Sequence, residues 1–179
     1  NLEDALAIGI QLNAFIRHAC TVKMANIAQI VNVIAPVFTK PDGLVLQTIF
    51  YPFELYSRTC GNLALDVVWE GDTFSGGGVS GIRALDVSAT LNETKKQLAV
   101  FVVNRSQSEE MDTVLLLTTG NFKNRITAYT VNGSDIKTEN TFATPDNVMT
   151  KENAVTVHGQ TLNYSFDPHS VTALVCDIS

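Results

Sequence analysis

The stretch Thr21-Val-Lys-Met-Ala-Asn-Ile-Ala-Gln-Ile-Val-Asn-Val-Ile-Ala35 decides how this chain is read. Apolar residues dominate it without clean alternation, and polar side chains recur at every third position, at Lys23, Asn26, Gln29 and Asn32. A strand apolar on both faces belongs in a parallel sheet covered by helices, where a polar side chain persists only with a partner or a task. Such a sheet needs further strands of the same kind, and the sequence around it does not supply them. The stretch therefore predicts a chain that begins partway through a larger α/β enzyme and continues into a separate β domain.

Upstream, residues 2–18 read as a helix, with Asn1 as N-cap and Asp4 three residues on, a variant of the capping box. One stripe runs Leu2, Leu6, Gly9, Asn13, Ile16 and its neighbour runs Ala5, Ile8, Leu12, Phe15, Ala19. Together they make an apolar face wide enough to want a sheet on one side and other helices beside it. Downstream come a Pro-containing loop from Pro36 to Gly43 and a helix from about Gln47 to Arg58. Helix, strand, loop, helix is the grammar of a β/α barrel or of a doubly wound sheet.

After Cys60-Gly61-Asn62 the grammar changes. Strands are expected at 63–69, 82–91, 97–103, 113–118, 125–131, 154–157, 162–166 and 171–178, rich in Val, Thr, Leu and Ile and separated by Gly, Asn, Asp, Ser and Pro. With no helical stretch between them, residues 60–179 predict a sandwich or jelly roll. Asn132-Gly133 reads as a turn.

A hydrophobic content of 45% against 17% charged residues is globular composition and excludes disorder. The formal charge of −6, with no basic cluster beyond Lys95-Lys96, excludes a nucleic-acid partner. Polar residues interrupt the best apolar run well short of the roughly 18 residues of a membrane span, so no membrane partner is expected and the protein should be soluble. The start, Asn1-Leu-Glu-Asp-Ala-Leu, has neither an initiator Met nor a basic leader and reads as an internal cut. The sequence assigns no compartment; a bacterial source would favour the cytoplasm. Cys20, Cys60 and Cys176 are odd in number and far apart, which predicts buried free thiols in place of a disulfide framework. Sequons at Asn92, Asn104, Asn132 and Asn163 arise readily by chance in so Asn-, Ser- and Thr-rich a chain.

Several patterns invite a chemical reading that their context removes. Gly76-Gly77-Gly78-Val79-Ser80-Gly81 formally matches GxGxxG, but a β-like segment follows where a dinucleotide site needs a helix N-terminus, so it reads as a flexible connection. His18, His158 and His169 lack metal-ligand spacing, and no metal or cofactor is expected. Glu109-Glu110 reads as a solvated hairpin, and no nucleophile elbow occurs. Gln29 is different. On a barrel strand it would lie toward the C-terminal end, where barrels place active sites, or it would be an amide satisfying backbone groups in the wall. Asn26 and Asn32 lean toward that structural reading.

Val22-Lys-Met-Ala-Asn-Ile-Ala-Gln-Ile-Val-Asn-Val-Ile-Ala-Pro36 and Gln47-Thr-Ile-Phe-Tyr-Pro-Phe53 closely resemble α-L-arabinofuranosidases of glycoside hydrolase family 51. Glu3-Asp4-Ala-Leu and Arg17-His18-Ala resemble that family's helix before the last barrel strand, and Val102-Val-Asn-Arg105 resembles part of its C-terminal β-sandwich. The resemblance implies a mainly β chain: residues 1–59 form the incomplete C-terminal end of a (β/α)8 barrel, and residues 60–179 a β-sandwich, jelly-roll-like, that packs on the barrel and supports assembly into a homo-oligomer. It implies a retaining hydrolase acting on arabinan, arabinoxylan or related oligosaccharides through two glutamates, both outside this chain. The family's active-site glutamine falls on Gln29, whose amide can bond the sugar or steady the acid/base carboxylate. The chain alone is then expected to be inactive, its partner being the N-terminal part of the same enzyme. The rival readings are a carbohydrate-binding module, with Trp69, Tyr51, Tyr56, Tyr129 and Tyr164 as candidate stacking residues, and an oligomer-forming domain.

Overall fold

The computed structural model describes residues 1–157 and 159–179. Helix α1 (Leu2–Arg17) forms where the apolar stripes place it, and it buries Leu2, Ala5, Leu6, Gly9, Leu12 and Asn13. At its start the Asp4 carboxylate accepts from the Asn1 backbone nitrogen at 2.7 Å, while Asn1 Oδ1 is buried without a partner. The next two donors that a helix leaves open go elsewhere: Leu2 N–H bonds the Thr138 carbonyl at 2.8 Å and Glu3 N–H the Ile136 carbonyl at 2.9 Å. A loop distant in sequence thus caps α1, and a Lys137–Glu3 ion pair lies beside it.

Strands β1 (Val37–Lys40) and β2 (Gly43–Leu46) make a hairpin, and α2 (Phe50–Thr59) follows. Pro52 sits in the first turn of α2, where its missing N–H costs nothing. The remaining strands are β3 (Leu63–Leu65), β4 (Thr73–Gly76), β5 (Val79–Arg83), β6 (Leu85–Asn92), β7 (Gln97–Asn104), β8 (Met111–Leu116), β9 (Phe122–Asn132), β10 (Met149–Thr156), β11 (Thr161–Phe166) and β12 (Ser170–Ile178). A six-stranded antiparallel sheet runs β10-β9-β12-β7-β6-β3, a two-stranded sheet pairs β11 with β8, and β4 pairs with β5. The chain is mainly β, with the architecture of a sandwich.

The central strand β7 explains the layering. Leu98, Val100 and Val102 point to a core shared with Leu162 and Phe166 of β11, whereas Ala99, Phe101 and Val103 point to a core shared with α1 and α2. Period-two alternation in a strand apolar throughout buries both faces, one under the small sheet and one under the helices. Thr130 and Thr172, opposite each other on β9 and β12, pair their hydroxyls at 3.2 Å within the sheet.

Gly9 is where α1 comes closest to the sheet. A Cβ there would stand 2.9 Å from Val103 Cγ2 and 3.1 Å from Val171 Cγ2, both on fully buried side chains of the sheet's centre. Gly9→Ala should therefore destabilise by about 1–3 kcal/mol, against the gain in helix propensity, as a drop in the urea midpoint. An unchanged midpoint would mean that the helix can ride up freely.

Several expectations need correction. The predicted strand from Thr21 to Ala35 is absent: these residues are irregular and mostly exposed, and only Val31 makes an isolated parallel bridge, to Val37. A parallel strand draws its backbone bonds from neighbours on both sides, and among the described residues no strand runs beside residues 21–30. The loop from Pro36 to Gly43 is largely hairpin, with Pro41 and Asp42 at its turn. The helix read from Gln47 begins at Phe50. The strand read over 82–91 breaks at Ala84 into β5 and β6. The Gly-rich connection is a tight hairpin turn, with Gly77 and Gly78 at φ +58° and +79°, the sign a two-residue hairpin demands. Glu109-Glu110 lies on a crossing between the two main sheets, not in a hairpin. Asn132-Gly133 opens a long excursion before β10 in place of a tight turn. Of the cysteines only Cys176 is buried; Cys20 and Cys60 are exposed.

Candidate functional site

Gln29 lies on the surface. Its backbone is left-handed at φ 55°, and its amide nitrogen donates to the Asn32 carbonyl at 3.0 Å. Asn32 and Val33 share the left-handed region, at φ 60° and 61°, an uncommon conformation for a β-branched valine. Asn32 organises the junction with β1: its Oδ1 accepts from Thr39 N–H at 2.8 Å and its Nδ2 donates to Thr39 Oγ1 at 3.1 Å. Asn32 thus satisfies a backbone group, as the structural reading expects, but at the surface and not inside a wall, and Asn26 is exposed as well.

Grooves open beside the helices and along the edge of the six-stranded sheet. The first, of about 370 Å³, lies between the last turn of α1, residues 22–25, the end of α2 and strands β3 and β6. Phe15, Met24, Phe53, Tyr56, Cys60 and Thr90 are among its walls, and the lining holds no carboxylate. The second, of about 610 Å³, is polar, with Asn132, Asp146, Asn147, Lys151, Asn153 and Asp167, and has no aromatic wall. The first therefore lacks the carboxylate pair that glycosyl transfer requires, whereas the second has Asp146 and Asp167 in its lining, and a further groove of about 180 Å³ is lined by Glu70, Asp72 and Asp112 beside Trp69 and Arg83. Among the described residues no group of three or more His, Cys, Asp or Glu side chains could hold a metal ion. His18 caps the end of α1, His169 meets Asn132 Oδ1 through Nδ1 at 2.9 Å, and His158 lies outside the described residues. No helix among the described residues is long and apolar enough to cross a membrane.

The aromatic residues that could stack on sugars are engaged separately. Tyr56 is buried against Phe101, with ring centroids 4.1 Å apart. Tyr164 packs on Phe166, Tyr51 sits edge-on to Phe50, and the Arg58 guanidinium lies over Tyr129. Trp69 has Arg83 over its ring at 4.7 Å and Arg17 at 5.8 Å, and its Nε1 donates to the Leu85 carbonyl at 3.2 Å. Cations over an aromatic face are favourable in themselves, and they occupy the surface a sugar would use.

The densest polar site is one the sequence reading missed. Asp86, on β6, is 4% exposed and takes Arg17 Nη1 at 3.0 Å, Arg17 Nη2 at 3.3 Å, Asn13 Nδ2 at 2.9 Å and the Arg105 guanidinium. Arg17 also donates to the Val87 carbonyl at 2.8 Å, and Asn13 to the Asp86 carbonyl at 3.0 Å. Asn13 Oδ1 accepts from Tyr56 at 2.8 Å and from Ser88 at 2.6 Å. A buried carboxylate survives only when paired and bonded in this way. The signal was present: a charge inside the apolar run Leu85-Asp86-Val87, and Asn13 on an apolar helix stripe. Next to Arg105, the fully buried Asn104 donates to the carbonyls of Glu109 at 2.9 Å, Phe166 at 3.0 Å and Asp167 at 2.9 Å.

Burial also sets the alkaline limit. It pushes the Cys176 thiol from 9.0 up to about 12, with Asp177 adding to the effect. Burial, then the Asp86 charge, holds the Tyr56 phenol well above its ordinary value. Both groups keep their protons in the native state at pH values where the unfolded chain has released them. Their contribution to stability is therefore fully present below about pH 9 and is lost as pH rises toward 12. The urea midpoint should fall through that window, and a constant midpoint would contradict the burial of both groups.

Residues 1–170 match the family described as Alpha-L-arabinofuranosidase C-terminal domain. The chain is 36% identical over 184 residues to "Probable alpha-L-arabinofuranosidase C" of Aspergillus fumigatus, covering 97% of this chain and 34% of that protein. It superposes on the α-L-arabinofuranosidase of Thermotoga maritima with a TM-score of 0.89 at 25% identity, covering 98% of this chain and 38% of the other. The thermostable GH51 α-L-arabinofuranosidase of Thermotoga petrophila gives a TM-score of 0.88 at 26% identity, with coverage of 98% and 38%. The chain thus spans about a third of the length of the curated relatives it matches. With the family match running from α1 into β12 and the same fold found in family 51 structures, the chain belongs to the α-L-arabinofuranosidase C-terminal domain family.

Proposed function

We propose that this chain is the C-terminal part of a retaining glycoside hydrolase that releases terminal α-L-arabinofuranosyl groups from arabinan, arabinoxylan or their oligosaccharides. The observation that carries this reading is similarity along 97% of the chain to a relative named as an arabinofuranosidase, of which it makes up 34%. The nucleophile and the acid/base glutamate belong to the portion of the parent outside this chain, so this segment acts by supporting the site. Residues 1–59 then supply the end of a (β/α)8 barrel and residues 60–179 the sandwich packed on it. The exposure of Ile30, Val33 and Ile34, at 65%, 78% and 73%, supports a partner surface for this segment in the parent. Assembly into a homo-oligomer is part of the same proposal. A carbohydrate-binding module is disfavoured, because the candidate stacking residues are engaged one by one.

Within this reading Gln29 bonds the sugar or steadies the acid/base carboxylate. A neutral hydrogen bond at the reacting sugar is worth about 1–3 kcal/mol, so Gln29→Ala in the full-length parent should lower kcat/KM about tenfold to a hundredfold with little change in Tm. Wild-type kinetics on an aryl α-L-arabinofuranoside would remove Gln29 from the site.

A further inference from the structure

The Asp86 cluster sits at one particular place on α1, its last turn, immediately before the segment that carries Gln29. We infer that Asp86 and Arg105 are positioning residues of the parent enzyme: held in the sandwich, they fix the end of α1 and so the direction in which the Gln29 segment leaves it. This inference rests on the proposed function.

Three observations support it. First, the cluster determines both the position and the direction of the helix end. Arg17 is gripped by both Asp86 oxygens and by the Val87 carbonyl, and Asn13, one turn earlier, bonds Asp86, Tyr56 and Ser88. A guanidinium held through both terminal nitrogens has little freedom to swing. Second, the direction passes along bonded backbone. His18 N–H bonds the Ala14 carbonyl at 3.1 Å, Thr21 and Val22 N–H both bond the His18 carbonyl at 2.9 Å, and Lys23 Nζ bonds the Ala19 carbonyl at 2.6 Å. The chain is thus held continuously from Arg17 to Lys23. Third, two partly exposed arginines share one buried carboxylate, and a buried charge of this kind is often replaced by apolar residues at no loss of stability. What an ionic cluster adds there is one defined geometry. Its anchor comes from Asp86 on β6 and from Arg105 just after β7, both in the sandwich, which gives that layer a means of setting the shape of a site built elsewhere.

The test uses the full-length parent with Asp86→Asn and, separately, Arg105→Lys. An asparagine can accept hydrogen bonds on only one of its two terminal atoms, so one arginine loses its partner while the volume is kept. Arg105→Lys keeps the charge and loses the fork. Well below the Tm, and per titrated active site, Asp86→Asn should lower kcat about tenfold to a hundredfold with KM changed less than about threefold, and Arg105→Lys should lower it less, in the same direction. Gly9→Ala, which strains the same helix away from the cluster, should lower Tm and leave kcat per site unchanged. Hydrogen exchange on this chain supplies a readout independent of activity: in Asp86→Asn the amides of Thr21 and Val22 should exchange faster while those of β7 keep their rates. Wild-type kcat in both cluster variants would overturn the inference, as would an equal loss of kcat in Gly9→Ala or unchanged exchange at Thr21 and Val22. A wild-type parent with no activity on arabinofuranosides would instead overturn the proposed function, and the exchange result would still decide whether the cluster holds the segment.

Discussion

Phe101→Ala should lower the Tm of this chain by about 10 °C, the largest effect expected from a single core substitution here. Phe101 has no solvent exposure, lies on the central strand β7, and stacks on Tyr56 with an interplanar angle of 24°. Removing the ring loses its transfer energy and leaves a cavity, and the cost depends on how far the walls can close. They can close little here. Tyr56 is pinned through its hydroxyl to Asn13 at 2.8 Å, and Asn13 is held by Asp86 and Ser88. The opposite wall is the sheet itself, with Val103 and Val171 already against Gly9. About 3–5 kcal/mol is therefore expected, at the full value for a Phe truncation. A Tm shift of only two or three degrees would mean that the helix layer repacks, and would undo the picture of α1 and α2 as fixed on the sheet.

What the sequence reveals and what it hides follow from range. Helix α1 was legible because its stripes, its N-cap position and its acidic first turn are all local. The strands of the sandwich were legible for the same reason, being short runs of β-branched residues bounded by turn formers, and most lie within a few residues of where they were read. The Thr21–Ala35 stretch misled because its apolar residues describe an environment, a parallel strand with neighbours on both sides, which this chain does not provide to it. Local composition can state that demand but cannot satisfy it. The Asp86 cluster was missed for the opposite reason: its members are separated by 69 residues from Arg17 to Asp86 and by 19 from Asp86 to Arg105. The pairing exists only after β6, β7 and α1 are brought together. Trp69 and Asn104 are similar cases, each plain as a residue and given its role by strands and loops from elsewhere. Gln29 came from a resemblance to a family, and its place on the present surface neither engages nor removes it.

The central claim is that this chain supports a glycosidase site without containing its chemistry. A retaining mechanism needs one carboxylate to attack the anomeric carbon and another to protonate the leaving oxygen, and on the proposed reading both lie in the rest of the parent. Hydrogen bonds from Gln29 cannot substitute for a missing nucleophile and acid, so the difference between this chain and the full-length enzyme should be on the order of 10⁶-fold or more in rate. The decisive measurement is release of 4-nitrophenol from 4-nitrophenyl α-L-arabinofuranoside, by the purified chain alone and by the same chain continued from the N-terminal part of its parent. The chain alone should give the buffer rate, and the continued enzyme should turn over with retention at the anomeric centre. Turnover by the chain alone, or a continued enzyme that leaves the arabinofuranoside intact, would contradict it.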